Sequence, residues 1–344
     1  MHERGRTGDS DVPQDVGMGL RLTDEWVWDS WFAQDDDGAL HLFYLKAPRS
    51  LRDADTRHDH SSVGHAVTTD LERWEVLPDA LTVGPPGSWD DRAIWTGSVI
   101  RAPDGWQLFY TGRSNADGGW TQRIGRAASD DLVHWRRLDA GPVLEADPRW
   151  YEAPRPGEGP WHESAWRDPF IVADPAGDGW HALITARGAS GDPPSRGVIG
   201  HATSPDLAHW TARPPIPSPE GFGHLEVPEV LDLDGQTYLV WCTQRMFTGT
   251  DRLAGPHGDR VRTGTYIVRT PSLLGPFDLP ASVPVEPYSE RYAGRLVPFR
   301  GRCWFIGFID RVDGAFVGEL QDPEPFDPSR VTVSVGMTLA AEAG

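Results

Sequence analysis

The sequence predicts an all-β protein built as a five-bladed β-propeller, with four antiparallel strands per blade. Three observations predict it. Turn formers are abundant, with 38 Gly and 31 Pro among 344 residues, and they punctuate short apolar runs of strand length. One phrase recurs, as "VGHAVTTDLERW" at 63–74, "IGRAASDDLVHW" at 124–135 and "IGHATSPDLAHW" at 199–210, with weaker copies "TYIVRTPSLLGPF" at 265–277 and "VGELQDPEPF" at 317–326. Each copy follows two further apolar runs joined by a tight turn. Self-similarity on this scale marks a repeat architecture, and a unit of four strands is a propeller blade.

The elements follow in order within each unit. The first runs are WVWDSWFAQ, AIWTGSVIR, WRDPFIVAD, LEVPEVLDL and YAGRLVPF, whose β-branched and aromatic residues suit strands. Asp37-Gly38, Asp104-Gly105, Asp178-Gly179, Asp234-Gly235 and Arg300-Gly301 then reverse the chain, as two-residue hairpin turns do. The second runs are LHLFYLKA, WQLFYTGR, WHALITAR, TYLVWCTQ and CWFIGFID. The recurring phrase supplies the third strand. Its "DLxxW" is a turn with Trp packed between blades, and Asp70, Asp131 and Asp206 are turn residues there. A short fourth run, such as WEVLPDALTV, completes the blade. Residues 1–18 read as a flexible polar tail and 19–344 as a single propeller with no appended β-sandwich.

First strands line the central channel of such a ring. Asp29, Asp168 and Glu226 stand near the beginning of the first strands of blades one, three and four, so the topology brings three carboxylates to one rim. Thr96 and the neighbourhood of Tyr292 to Arg295 hold the matching places in blades two and five. The long connections 47–62, 113–122, 188–197 and 245–264 return to the same end, as loops over a substrate pocket would. Converging carboxylates suit glycoside hydrolysis, one attacking or activating water and one protonating the leaving oxygen. Strict alternation along the fourth-blade strand would put Glu226 and Asp232 on one face and Glu229 on the other, unless a turn at Pro228 changes that phase.

The formal charge of −19 argues against a nucleic-acid or anionic-membrane partner. No apolar run approaches the ~18 residues of a membrane span, and the N-terminus lacks an apolar signal core, so a cytoplasmic location is expected. The two cysteines, Cys242 and Cys303, read as buried core thiols and are too few for a disulfide framework or a cysteine zinc site. "RHDH" at 57–60 reads as a solvated or substrate-contacting loop, because adjacent loop residues rarely point to one metal. No EF-hand-like spacing occurs, and no metal or cofactor is expected.

At these residues the chain resembles the five-bladed-propeller glycoside hydrolases of the levansucrase/invertase type, glycoside hydrolase families 68 and 32, which share a clan with the arabinanase/xylosidase family 43. "VWDSW" resembles the nucleophile segment and implies that role for Asp29. "WRDPF" carries the Arg-Asp-Pro motif, implying transition-state stabilisation by Asp168 and a substrate- or carboxylate-holding Arg167. "LEVPE" is similar to the Glu-x-Pro acid/base motif, implying Glu226. "IWTGS" implies sugar contact by Trp95 and support from Thr96, with Thr96 in place of the usual Ser. "YLVWCTQR" implies a substrate-binding Arg245, and "RYAGRLVP" a pocket Tyr292. Val227 departs from the Arg of levansucrases and the Cys of invertases.

The resemblance implies a retaining hydrolase, able also to transfer, acting on a small β-fructofuranoside such as sucrose or a short fructo-oligosaccharide. Asp29 would attack, Glu226 would act as acid and then base, and Trp28 and Trp95 would offer apolar faces to the ring. The alternatives on the same fold are an inverting arabinofuranosidase or xylosidase, and a non-catalytic carbohydrate-binding propeller.

Overall fold

The structure, a computed structural model, describes residues 18–156, 163–177, 179–217, 221–255, 258–285 and 291–331. These residues form five four-stranded antiparallel sheets. Blade one comprises Glu25–Gln34, Leu40–Pro48, Ser62–Thr68 and Glu75–Leu81, and blade two Ala93–Ala102, Gly105–Arg113, Arg123–Ser129 and Arg136–Arg137. Blade three comprises Trp166–Ala173, Trp180–Arg187, Gly197–Ser204 and Thr211–Ile216, and blade four Glu226–Leu233, Gln236–Thr243, Gly264–Arg269 and Val283–Pro284. In these four the spatial order follows the chain.

Blade five, Arg291–Phe299, Arg302–Val312, Ala315–Leu320 and Glu324–Phe326, departs from that pattern. Its last strand pairs with the second strand, through Cys303–Phe305, while the third strand takes the other end of that strand, 308–312. The second strand is long enough to hold both. The departure matches the degenerate fifth copy of the repeat.

Second strands read as continuous apolar runs because blades pack face to face and bury both sides. Leu42, Phe43, Tyr44 and Leu45 are all buried, as are Leu108, Phe109 and Tyr110. The "DLxxW" tryptophans fill the seams. The Trp135 ring meets Phe43 of the preceding blade edge-on, with centroids 5.7 Å apart, and Trp210 meets Phe109 likewise at 5.6 Å. Asp131 and Asp206 each accept two backbone N–H groups of their turns, so they are turn residues, as expected.

The ring closes where the N-terminal segment meets blade five. Leu320 N donates to the Leu20 carbonyl at 3.0 Å, and Arg49 donates to the carbonyls of Val317 and Gly318. Residues 1–17 of the expected tail lie outside the described residues. Met18 is held in place, its carbonyl accepting the Trp74 indole N–H at 3.0 Å. Cys242 is buried, but Cys303 is only half-buried, because it directly follows the exposed hairpin Arg300-Gly301-Arg302. Among the described residues no helix is long and apolar enough to cross a membrane.

Blades one and three carry a matching polar pair inside the sheet. His41 Nδ1 lies 2.9 Å from His65 Nε2, with Asp35 behind His41 at 3.4 Å. His181 Nδ1 lies 2.8 Å from His201 Nε2, with Asp174 behind His181 at 3.3 Å. A shared hydrogen bond between two imidazoles needs at least one neutral acceptor. Burial, with the adjacent imidazole, pushes His65 down to about 3 and His201 down to about 4. The unfolded chain takes up these protons first, so their contribution to stability is lost as pH falls from about 6.5 toward 4 and 3. Thermal denaturation across that range is expected to show a falling melting temperature, and the double substitution His65→Gln with His201→Gln a flatter profile.

Candidate active site

All five inner strands carry the same irregularity at the same depth. The register with the second strand slips between Trp28 and Ser30, Trp95 and Gly97, Arg167 and Phe170, Glu226 and Glu229, and Tyr292 and Arg295. Each slip is a β-bulge, which bends a strand and re-aims a side chain. Asp29, Asp168, Val227 and Ala293 have positive φ there, 25°, 56°, 52° and 44°. Such values are uncommon outside Gly, and for β-branched Val227 they mark a strained backbone. The bulges turn Asp29, Thr96, Asp168, Glu226 and Tyr292 into one cavity of about 340 Å³. The expected alternation along Glu226–Leu233 is therefore corrected. Glu229, half-buried, accepts from Arg295 at 3.3 Å, and Asp232 leaves the site to accept the Gly235 N–H of the far hairpin.

Each acid has its own surroundings. Asp29 Oδ2 accepts from Thr96 Oγ1 at 2.5 Å. Burial, and next the charge of Asp168, push the Asp29 carboxyl up to about 7. Asp168 is held by Thr185 Oγ1 at 2.7 Å and the Val227 backbone N–H at 3.2 Å, with Arg167 Nε 3.7 Å away. Burial still holds Asp168 above the usual carboxylate range, against the pull of Arg167. Glu226 accepts from Arg167 Nη2 at 2.6 Å and from the Tyr292 hydroxyl. Burial, then the Glu226 charge, raises Tyr292 well above the usual phenol value, so it stays a donor.

Several residues that hold this arrangement carry no motif of their own. Thr111 Oγ1 of blade two accepts the Asp168 backbone N–H at 3.0 Å and donates to the Thr96 carbonyl at 3.1 Å. Thr185 Oγ1 of blade three accepts the Val227 N–H at 3.0 Å, and Thr265 Oγ1 of blade four accepts the Gly294 N–H at 2.9 Å. At three successive seams a buried threonine thus ties down the bulge of the next blade. The matching Thr111 and Thr185 in "FYTGR" and "LITAR" are the sequence signal for two of them. Arg295 donates to the Ser30 carbonyl at 2.8 Å as well as to Glu229, joining blades five, one and four.

The aromatic residues line the cavity with their faces partly taken. Trp28 is 1% exposed and has the Arg57 guanidinium 5.5 Å from its ring centroid. Trp95 donates its indole N–H to the His58 carbonyl at 2.7 Å and has Arg113 4.3 Å from its ring. They form walls more than open platforms. The 57–59 segment joins the lining. Arg245 does not. Its guanidinium donates to the carbonyls of Gly258 and Val261, because the chain turns into a short 3₁₀ segment at Arg245–Phe247 and presents Gln244 and Phe247 to the cavity instead.

Residues 26–273 match the Glycosyl hydrolases family 32 N-terminal domain. The chain belongs to glycosyl hydrolase family 32. Curated relatives include the family's kin in plants and bacteria. "Beta-fructofuranosidase 1" of Zea mays is 34% identical over 157 residues, 44% of this chain and 21% of the relative. "Probable sucrose-6-phosphate hydrolase" of Psychromonas ingrahamii is 27% identical over 283 residues, 80% of this chain and 46% of the relative. The chain thus spans less than half the length of these two. Among solved structures, the family 32 β-fructofuranosidase of Bombyx mori superposes with a TM-score of 0.64 at 22% identity, covering 91% of this chain and 63% of that one. An inulosucrase from Halalkalicoccus jeotgali bound to kestose gives 0.65 at 23% identity, covering 90% and 84%. Both share the propeller fold with this family 32 chain.

The raised Asp29 carboxyl has a consequence for folding. The folded state holds a proton there that the unfolded state releases near 3.8, so ionised Asp29 lowers stability progressively as pH rises from about 4 to about 7, with no further change above that. Asp29→Asn removes the penalty. Its melting temperature relative to wild type is expected to rise across that interval and then level off, as read by calorimetry at a series of pH values.

Proposed function

We propose that the protein is a retaining hydrolase of small β-fructofuranosides, of which sucrose is the simplest, and that it can pass the fructosyl group to a second sugar as well as to water. The observation that carries the reading is the meeting of Asp29, Asp168 and Glu226 in one cavity, each with a different set of partners. Family membership and the printed activities of the relatives support it. A cavity of about 340 Å³ lies at the small end of the ~300–1,000 Å³ range of small-molecule sites, which favours a short substrate over a polymer.

Each residue's role follows from its partners. Asp29 has a single side-chain donor, Thr96, which leaves its other oxygen for attack on the anomeric carbon. The C–O bond to the leaving group breaks as Glu226 gives that oxygen a proton. Tyr292 and Arg167 fix the Glu226 carboxyl in place. Asp168, immobilised by Thr185 and the Val227 N–H, accepts hydroxyls of the sugar and interacts more strongly as positive charge develops at the ring. Water, or a hydroxyl of another sugar, then gives its proton to Glu226 and displaces Asp29, restoring both acids. Two displacements at one carbon retain configuration.

The test is incubation with sucrose, short fructo-oligosaccharides and an aryl arabinofuranoside, followed by NMR during the first turnovers. Release of β-fructofuranose ahead of mutarotation is the expected result. Asp29→Ala and Glu226→Ala should keep the wild-type circular dichroism and lose turnover by ~10²–10⁴-fold or more. Release of the opposite anomer, preference for the arabinofuranoside, or undiminished activity in either variant would overturn the reading.

A further inference from the structure

We propose that this site selects an uncharged sugar and rejects one bearing a phosphate, through an excess of carboxylates in the cavity wall that already hold two of its three arginines. The inference rests on the fructosidase reading above and extends it to the substrate's charge.

The wall holds six carboxylates, on Asp29, Asp59, Glu163, Asp168, Glu226 and Asp310, against three guanidiniums, on Arg57, Arg113 and Arg167. Carboxylates of the wall hold two of the three; the third, Arg57, is buried, with an Nε that has no partner among the described residues. Arg167 donates to Glu226 at 2.6 Å and to Gln122 Oε1 at 3.2 Å. Arg113 donates to Asp59 at 2.9 Å, to the Gly119 carbonyl at 2.8 Å and to the His58 carbonyl at 3.3 Å. Arg57 donates to the Ala54 carbonyl at 2.8 Å, and its guanidinium lies 3.8 Å from the Phe316 ring centroid. Arg92 stands behind Asp59 and grips both of its oxygens at 2.9 Å.

The histidines do not make up the deficit. Burial, with Arg57 next to His58 and Arg167 next to His224, holds both imidazoles well below their usual value. Outside the trio of Asp29, Asp168 and Glu226, Glu163 and Asp310 are wall acids that accept no arginine hydrogen bond among the described residues. Arg113 Nη2 stands 3.9 Å from Glu163, and Arg57 is the cation that acts on Asp310 most strongly. A phosphate monoester brings a charge of about −1.5 to −2 at pH 7 and calls for charge-assisted donors, preferably paired arginines. Here it would meet like charge in a partly desolvated site. Sugar hydroxyls, by contrast, donate to carboxylates, and an acid-rich wall suits them.

The experiment compares kcat/KM for sucrose and for sucrose phosphorylated on the glucosyl O6, in wild type and in Glu163→Gln with Asp310→Asn. Sucrose is expected to be favoured by about 10–10²-fold, since like charges in an interface are strongly unfavourable, and the ratio to narrow in the double variant and with added salt. Equal or faster turnover of the phosphorylated sugar would overturn the proposal. Should wild type split neither sugar, the fructosidase reading fails on its own. Calorimetric titration of Glu226→Gln with both sugars then reads discrimination without turnover. Tighter binding of sucrose supports the proposal, and equal or tighter binding of the phosphorylated sugar, or binding of neither, overturns it.

Discussion

The bulge repeated on all five inner strands is the constraint on which the rest of the site depends. A regular strand would send alternate side chains into the flanking blades. At the bulge one residue leaves the ladder, and its side chain turns into the channel. Five blades doing this at one depth give a ring of residues from distant parts of the chain, and three of them are acids. The strain is local and answered locally. Val227, β-branched and at φ 52°, directs its N–H at Asp168 and Thr185. Thr111 and Thr265 accept the bulge N–H groups of Asp168 and Gly294, and a buried N–H left without a partner costs about 1–3 kcal/mol; the Val227 N–H is shared by Thr185 and Asp168.

Charge in the floor of the channel is arranged around two arginines. Arg167 lies between Glu226 and Asp168, and Arg295 reaches Glu229 and the Ser30 carbonyl. Asp29 has neither as a direct partner. Its carboxyl is set by burial and by its acidic neighbours, while Thr96 and the more distant Arg295 pull the other way. Arg167 thus holds Asp168 and Glu226, whereas Asp29 has Thr96 as its hydrogen-bond donor. Buried ion pairs of this kind add little net stability, because desolvation offsets attraction. Their use here is to fix which carboxylate points where.

The fold was legible because its period was written in the chain. The three strong copies of "DLxxW" and the Gly turns between apolar runs placed the blades, and the ordered inner-strand motifs placed Asp29, Asp168 and Glu226 on one rim. The failures share a cause. Period-two alternation pairs Glu226 with Asp232, but a bulge changes the phase; Pro228 signals that change in the sequence, though not which way it re-aims each side chain. Arg245 ends its strand in the pattern yet turns outward, since loop geometry after a strand end is not set by the strand. The threonine seams were written in "FYTGR" and "LITAR", but a hydroxyl that accepts a backbone N–H looks like any strand threonine. The Asp-His-His pairs of blades one and three are also visible only once strand register is known.

In the proposed mechanism Asp29 forms a bond to the sugar. Glu226→Gln slows the step in which water displaces the enzyme while leaving attack possible on a fructoside with a nitrophenyl leaving group, which needs little protonation. Acid quenching after brief exposure, proteolysis and mass spectrometry should find the peptide containing Asp29 heavier by one anhydrohexosyl unit, with the modification on that residue. An unmodified Asp29 peptide alongside a burst of nitrophenol, or an adduct on Asp168 instead, would contradict the account.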